Sequence, residues 1–388
     1  MDSYEILSKV GEGSFGEVFR AKSLESGTIV ALKRIRLRRV EDGIPKTLLR
    51  EIKALEHIDS SYVVKIHQFF PDGSSIIIVC EYMQSDLSHV MRSAALLCRP
   101  LRHAEIKSIM QMILKGIAAV HDAQIMHRDV KPANLLFSTA GVLKLGDFGL
   151  ARVHQTTTLE TQHLPADYSH EVATRWYRAP ELLFGARRYG NEVDLWAVGC
   201  IFAELFTFSP LLPGENDIDQ LYRVLRVLGT PDVHSWPELS ELPDYNKIVF
   251  PTLPPVPLHE ILPDVPADAL ALIQKFLVYR PQQRITAAQA LLDPYFTTEP
   301  LPLHPSHLRQ LAALPLVLRE RRGHLSSAAA AISSAAAAGS LGNFHSSDVP
   351  RSNRHALCVS DSRRSQFGLS TPLSVADVGV MPFSPWDA

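Results

Sequence analysis

The chain reads as an α+β protein of two parts, a small β-rich N-terminal lobe with one main helix and a larger, mostly α-helical C-terminal lobe. Three observations predict this. Short β-branched runs separated by turn signals fill the stretch from Tyr4 to about Cys80. Apolar residues at helical spacing dominate from Leu87 to Phe296. Of 388 residues, 46% are hydrophobic and 21% charged, which is enough apolar surface for a sizeable core and excludes global disorder.

The elements follow in order. Ile29-Val30-Ala31-Leu32 comes after the turn signal Ser26-Gly27, and Ile76 to Val79 comes after Asp72-Gly73, as strands of one small sheet. A helix interrupts them from Pro45, a residue suited to a first helical turn, and carries Leu48, Leu49, Ile52 and Leu55 on one side. In the larger lobe, Ile106, Ile109, Met110, Ile113, Leu114 and Ile117 mark a long buried helix, and Pro251 to Pro257 form a proline-rich connection. The bounds read as 4–82 and 83–296 for the lobes, 297–319 for a Pro/Leu-rich extension and 320–388 for a Ser/Ala-rich tail. The tail's blocks Ala328–Ala331 and Ala335–Ala338 are strong helix formers with no large apolar face to dock, and short isolated helices do not hold in water, so the tail is expected to be disordered.

Composition removes several classes of function. The 39 Lys+Arg and 41 Asp+Glu leave a net charge of −2, with no overall field for nucleic acid or anionic lipid. Cys80, Cys98, Cys200 and Cys358 stand far apart with no CxxC pair, which fits a reducing compartment. No basic and apolar leader begins the chain, and the longest apolar stretch, Leu195 to Ala203, stops at Glu204, so neither secretion nor a membrane span is expected.

Gly11-Glu12-Gly13-Ser14-Phe15-Gly16-Glu17-Val18 has the form GxGxxGxV, whose glycines admit phosphates close to backbone N–H groups. GxGxxG alone is weak: a solvent-exposed turn or a dinucleotide fingerprint share it. The dinucleotide context needs a helix directly after the glycines, whereas Glu17 to Lys22 alternates as a strand, so a β-hairpin over phosphates is favoured. On the next strand Lys33 can point beneath that hairpin, and Glu51 on the Pro45 helix is a carboxylate able to pair with it and hold it against phosphate oxygens. Arg50 points about 100° away round that helix.

His127-Arg128-Asp129-Val130-Lys131-Pro132-Ala133-Asn134, Asp147-Phe148-Gly149 and Ala179-Pro180-Glu181 follow in that order. With the glycine loop and Val30-Ala31-Leu32-Lys33 they resemble the signature set of eukaryotic protein kinases, from Tyr4 to Phe296. The resemblance implies the bilobal protein kinase fold, ATP and Mg²⁺. Asn134 and Asp147 would hold two metal ions, Asp129 would orient and deprotonate the attacking hydroxyl, and Lys131 would stabilise the transferring phosphoryl group beside Lys33 and Glu51. It further implies that Val10, Gly11, Glu12, Gly13, Ser14, Phe15, Gly16, Glu17, Val18, Ala31, Lys33, Glu81, Met83 and Asp86 bind the nucleotide. The HRDxKxxN form, with Lys131, resembles the Ser/Thr-specific type. His127, Glu181 with Arg284, and Asp194 read as scaffold rather than chemistry.

The stretch His170 to Glu181 and a long helical insert expected from near Gly214-Glu215-Asn216-Asp217 resemble the cyclin-dependent and MAP kinase group, in which Arg178 helps shape a site for proline after the phosphorylated residue. Within it, LRRVEDGIPKTLLREIKAL, SDLSHVMR and ELPDYNKI resemble the cell cycle-related kinases. That likeness implies proline-directed phosphorylation of proteins, other kinases among them, a cyclin-type activator gripping the Pro45 helix, roles in cell cycle and cilium or flagellum control, and residence in nucleus, cytoplasm and cilium. Ser169 falls at the group's activating phosphosite, with Arg50, Arg128 and Arg152 matching its phosphate-binding trio. Three departures stand out: a long segment from Val153 to Asp167, Phe15 in place of an inhibitory tyrosine, which leaves Ser14 as the acceptor there, and Cys80 at a hinge position often bulkier. The competing readings are a scaffold without catalysis and a kinase of small molecules. Intact Lys33, Glu51, Asp129, Asn134 and Asp147 argue against the first, and the segment up to Glu181 against the second.

Overall fold

The computed structural model describes residues 2–13, 16–37, 46–153, 175–315 and 379–380. Met1–Pro315 form one unit and Leu316–Ala388 a second, of which only the two-residue strand Gly379–Val380 is described. Ser14, Phe15, Ser169, the side chains of Glu12 and Arg50, most of the segment from Val153 to Asp167, and nearly all of the tail lie outside the described residues.

The turn signals at Gly27 and Gly73 mark the edges of strands as expected. β1 (Tyr4–Gly13), β2 (Gly16–Ser23), β3 (Ile29–Arg36), β4 (Ile66–Asp72) and β5 (Ser75–Glu81) form one antiparallel sheet in the order β1-β2-β3-β5-β4. Both faces of β5 are covered, which is why its sequence is a continuous apolar run. Ile77 and Val79 join Ala21, Val30 and Leu32 on one side, while Ile76 and Ile78 meet Ile35 and the helix residues Leu48 and Ile52 on the other. That helix is α1 (Lys46–His57). The sheet curls until its outer strands touch: Tyr4 of β1 stacks on Phe70 of β4, ring centroids 6.2 Å apart.

Met83–Asp86 (β6) leads into the larger lobe, and Asp86 caps α2 (Leu87–Leu96) by accepting the His89 N–H at 2.8 Å. α3 (His103–Asp122) is the long helix its periodicity predicted, buried from Ile106 to Val120 along one side. Four short strands follow in a stretch that reads as helical in the sequence. They are β7 (Ile125–Met126), β8 (Leu135–Ser138), β9 (Leu143–Leu145) and β10 (Arg152–Val153). Two to four residues are too few for strand alternation to show. β6, β8 and β9 make a three-stranded sheet, and β7 pairs with β10.

The rest of the lobe packs around α5 (Glu192–Thr207), which is buried on every side from Val193 to Leu205 and so carries an apolar run rather than a stripe. Around it lie α4 (Pro180–Leu183), α6 (Asp217–Leu228), α7 (Leu258–Ile261), α8 (Ala267–Phe276) and α9 (Ala287–Leu291). The long helical insert expected from Gly214 is not one helix. α6 stops at Gly229, whose φ is +80° and whose added Cβ would lie 2.7 Å from Pro255 N, and the chain to Pro257 is mostly irregular. Pro231, Pro237, Pro243, Pro251, Pro254, Pro255 and Pro257 each lack the N–H that a helix would use.

Residues 297–315 pack onto the larger lobe. The fully buried Lys107 of α3 donates to Thr298 O at 2.8 Å, Ser108 donates to Leu303 O at 2.8 Å, and Ser85 Oγ donates to Ala312 O at 2.8 Å. Gly141, at φ +81°, has no room for a side chain, since a Cβ would fall 2.2 Å from Pro305 O. Leu308, just before α10 (Arg309–Ala312), and Leu311 within it are each exposed by 1% or less. Leu308→Ala is therefore expected to cost about 2–5 kcal/mol, read as a lowered midpoint in chemical denaturation. An unmoved midpoint would mean that the extension merely rests on the surface.

Candidate active site

The site is built by alternation in β3 and by three short strands. Lys33 shares a strand face with Ile35, and Ile35 packs on α1, so the lysine leaves the sheet towards that helix. On α1, Glu51 lies on the same buried side as Leu48 and Ile52. The two meet: Lys33 Nζ to Glu51 Oε1 is 2.6 Å, with Glu51 only 6% exposed, and Asp147 Oδ1 stands 3.8 Å from the same ammonium. Burial alone pulls the lysine's pKa down, but the Glu51 and then the Asp147 carboxylates outweigh it and hold it above the ordinary lysine value. Above them the hairpin of β1 and β2 closes with Gly13 opposite Gly16. Gly16 has φ +134°, and a Cβ there would fall 2.0 Å from Arg34 O, so only glycine lets the hairpin lie this close to β3.

The loop between β7 and β8 presents the remaining groups. Lys131 Nζ lies 2.7 Å from Asp129 Oδ2, and Asn134 Nδ2 donates both to that oxygen at 3.0 Å and to Asp129 O at 2.8 Å. Asn134 O accepts the Gly146 N–H at 2.9 Å, which ties this loop to Asp147, one residue on. Asp129, Lys131, Asn134, Asp147, Lys33 and Glu51 thus form one connected group rather than opening on separate faces. The amide nitrogen of Asn134 is engaged on Asp129, which leaves the amide oxygen as the acceptor that could meet a cation. Among the described residues Asp147 Oδ1 is buried and has no hydrogen-bond donor, Lys33 Nζ standing 3.8 Å away. Among the described residues no three His, Cys, Asp or Glu gather as a closed metal site. One carboxylate and one amide oxygen suit Mg²⁺, which takes one or two protein oxygens and fills its shell with phosphate and water.

The loop is held from below by Asp194 of α5. Its carboxylate accepts from Arg128 N at 2.7 Å, His127 N at 2.9 Å and His121 Nε2 at 3.0 Å. Burial raises its pKa, but the hydrogen bond from His121 and the further His121 and His127 interactions outweigh that and leave it below the ordinary carboxylate value. His127, fully buried, accepts the Asp129 N–H on Nδ1 at 3.3 Å, so its Nε2–H donates to Gly146 O at 3.0 Å. Its ring also meets Phe148 edge-on, centroids 4.6 Å apart. Arg128 and Asp147 adopt φ +67° and +61°, a left-handed backbone that side chains take only where surroundings impose it. Arg128 donates to Leu150 O and to the Tyr189 hydroxyl, both at 2.7 Å. Glu181 and Arg284 form a buried two-point pair at 2.7 and 2.8 Å, as the scaffold reading expected.

The other predicted nucleotide residues that are described lie on β1, β2, β3, β5 and β6. Val10 is half exposed on β1, and Ala31 pairs in register with Cys80 across β3 and β5. The Cys80 thiol is pushed up to about 12 by burial, then by the Glu51 and Glu81 charges, so it is a protonated packing group. The Glu81 carboxylate holds Lys144 Nζ at 2.7 Å and the Lys65 N–H at 2.8 Å, leaving only its backbone for a ligand. Glu17 pairs on the surface with Lys9 and Arg36, the Lys9 hydrogen bond being the main reason its pKa falls, and Asp86 is engaged as the α2 cap. Met83 pairs with Ser138 in β6 and β8. Arg152 lies in β10, opposite Met126.

Sequence reasoning missed the anchoring of Arg175–Tyr177, a 3-10 turn just before Arg178. The Tyr177 hydroxyl donates to buried Glu204 at 2.6 Å, Trp176 Nε1 to Gly214 O at 3.1 Å, and Arg175 Nε to Asp217 at 2.5 Å. No local pattern announces these partners, which lie 27 to 42 residues away in the chain.

A β-rich lobe carrying a glycine hairpin and a paired lysine, over a helical lobe carrying the Asp129–Asn134 loop and Asp147, is the architecture of a protein kinase. The protein kinase domain family matches residues 4–296, and the chain belongs to that family. Its relatives specify the branch. The chain is 59% identical over 309 residues to cyclin-dependent kinase 20 of Danio rerio and 56% identical to that of Homo sapiens, covering 79% of this chain and 87% of each relative. It is also 42% identical over 307 residues to cyclin-dependent kinase D-1 of Arabidopsis thaliana, covering 79% of this chain and 74% of the relative. It is a Ser/Thr protein kinase of the cyclin-dependent kinase family.

Burial pushes the Glu204 carboxyl up to about 6 from its ordinary 4.5, against the opposing hydrogen bond from Tyr177. The folded state therefore holds a proton that the unfolded chain has released, and stability attached to this group falls as pH rises from 4.5 through 6. Glu204→Gln keeps an acceptor for Tyr177 and removes the titration. Its stability relative to wild type should grow by about 2 kcal/mol between a pH well below 4.5 and one well above 6, measured by urea denaturation at a series of pH values. A constant difference would contradict the assignment.

Proposed function

We propose that this protein is a proline-directed Ser/Thr protein kinase that moves the terminal phosphoryl group of ATP to protein hydroxyls. What supports it is the single connected group of Lys33, Glu51, Asp147, Asn134, Asp129 and Lys131. Lys33, held by Glu51, aligns phosphate oxygens beneath the glycine hairpin Val10–Val18, and Ala31, Glu81, Met83 and Asp86 border the purine, Glu81 through its backbone. Asp129 accepts the substrate hydroxyl's proton and aims its oxygen at the phosphorus, while Lys131 offsets charge that develops on the transferring group. Asn134 and Asp147 are the residues that would hold Mg²⁺, which when bound neutralises phosphate charge.

In the same reading Ser169 is the activating phosphosite and Arg50, Arg128 and Arg152 collect its phosphate, while Ser14 is an inhibitory acceptor over the nucleotide. α1 is the surface for a cyclin-type activator. Protein substrates include other kinases, and the work of the enzyme lies in cell cycle and cilium or flagellum control, in nucleus, cytoplasm and cilium. Among the described residues no helix is long and apolar enough to cross a membrane.

The test is transfer of labelled phosphate from Mg·ATP to a Ser-Pro peptide. Asp129→Asn is expected to lower kcat by about 10²–10⁴-fold with ATP affinity nearly unchanged, and Asp147→Ala to abolish metal-dependent transfer. No transfer by the wild-type protein, with its activator supplied, would defeat the reading. Ser169→Ala should reduce turnover and leave ATP binding intact; undiminished turnover would remove the switch.

A further inference from the structure

The end of the extension is held by side chains that flank Asp86. A helix leaves its last C=O groups without partners of its own, and they take donors from elsewhere. α10 ends at Ala312, and three carbonyls from there to Pro315 are met by side chains of β6 and α2. Ser85 Oγ donates to Ala312 O at 2.8 Å, His89 Nε2 lies 3.2 Å from Leu314 O, and Ser93 Oγ donates to Pro315 O at 3.2 Å. A carbonyl only accepts, so His89 Nε2 carries the hydrogen in that contact. His89 and Ser93 stand one turn apart on one side of α2, with Ser85 just ahead of the helix, so the three donors form a row along which the chain from 312 to 315 runs.

The extension is fixed at a second place, the turn between β8 and β9. There a Cβ on Gly141 would fall 2.2 Å from Pro305 O, and Arg309 Nε donates to Ala140 O at 3.4 Å. β8 in turn pairs with β6, Ser85 opposite Phe137 and Asp86 opposite Leu136. Of the residues that meet the extension, Ser85 directly precedes Asp86, and His89 is the one whose N–H Asp86 Oδ1 accepts at 2.8 Å. The backbone before Asp86 and the group that its side chain caps are therefore both tied to the same four-residue segment.

The cap occupies Oδ1, and a carboxylate offers a second oxygen with further lone pairs. Hydroxyl donors suit such an acceptor, and ATP carries a pair of them on its sugar. A charge-assisted hydrogen bond of this kind is strong when aligned and weakens steeply when it is not, so its worth depends on where the carboxylate is held. We infer that residues 312–315 are a positioning segment of the nucleotide site: through Ser85 and His89 they fix Asp86 so that its carboxylate receives a ribose hydroxyl of ATP. The inference rests on the reading of Asp86 as a nucleotide residue and names what holds it in place.

The experiment uses the full chain with its activator, a Ser-Pro peptide, and ATP or 2′,3′-dideoxy-ATP, each with Mg²⁺. The wild-type KM is expected to be about tenfold higher for the dideoxy nucleotide, the factor expected of one charge-assisted hydrogen bond, and Asp86→Asn should remove most of that preference. In the double variant Ser85→Ala/His89→Leu the preference is expected to fall about threefold, through a higher KM for ATP with kcat and the KM for the dideoxy nucleotide little changed. Ser85→Thr/His89→Gln, which keeps both donors, should restore it. All variants are assayed at a temperature where circular dichroism shows them folded, and the single variants Ser85→Ala and His89→Leu, each expected to show part of the fall, replace the double if it does not fold. A wild type indifferent to the sugar hydroxyls, or an Asp86→Asn variant with full preference, would overturn the nucleotide reading of Asp86 and this inference with it. A preference that Asp86→Asn removes but the loss of both donors leaves intact, or a KM raised equally for both nucleotides, would overturn the inference alone.

Discussion

One buried ammonium coordinates the whole catalytic arrangement. Lys33 is placed by the alternation of β3, Glu51 by the buried side of α1, and Asp147 by the turn after β9, and they converge within 3.8 Å. Burial pulls the pKa of this lysine down, and the two carboxylates that face it more than reverse the pull. Removing either one does more than lose a contact, because the charge left behind becomes costly. The position of α1 and the position of Asp147 are therefore coupled through this side chain, as well as by the packing of α1 on the turn Phe148–Leu150. Anything that shifts that helix moves Glu51 and, through Lys33, changes the surroundings of Asp147.

The lower half of the site obeys a related rule. Arg128 and Asp147 hold left-handed backbones, each a strain of roughly 1–3 kcal/mol, and the strain persists because Asp194 grips the loop by two backbone N–H groups while His127 bridges Asp129 to Gly146. These are buried, fully engaged polar groups. They contribute little net stability against an apolar core, but they admit one geometry of the loop. The Glu181 and Arg284 pair does the same for the segment that ends at Pro180-Glu181.

The order of short signatures made the catalytic group legible, since each of Lys33, Glu51, Asp129, Asn134 and Asp147 sits beside a recognisable run. The two-lobed division was equally legible, because the change from β-branched runs to helical spacing spans many residues. What stayed hidden depends on distant pairing. No local pattern shows that the Glu81 carboxylate is taken up by Lys144 and the Lys65 N–H. β7 to β10 are too short to leave a periodic trace, and the helix expected after Gly214 ended at Gly229 because the prolines beyond it deny the next turns their donors. The Pro/Leu-rich extension carried no pattern showing that Leu308 and Leu311 complete the core.

The most direct measurement of the central claim is a double-mutant cycle on Lys33 and Glu51, following phosphoryl transfer in single turnovers. If Glu51 acts by holding Lys33, then Lys33→Met and Glu51→Gln each slow transfer, and the double variant is no slower than Lys33→Met alone. If the two losses instead multiply, Glu51 serves the reaction independently of the lysine, and the coupling described here is wrong.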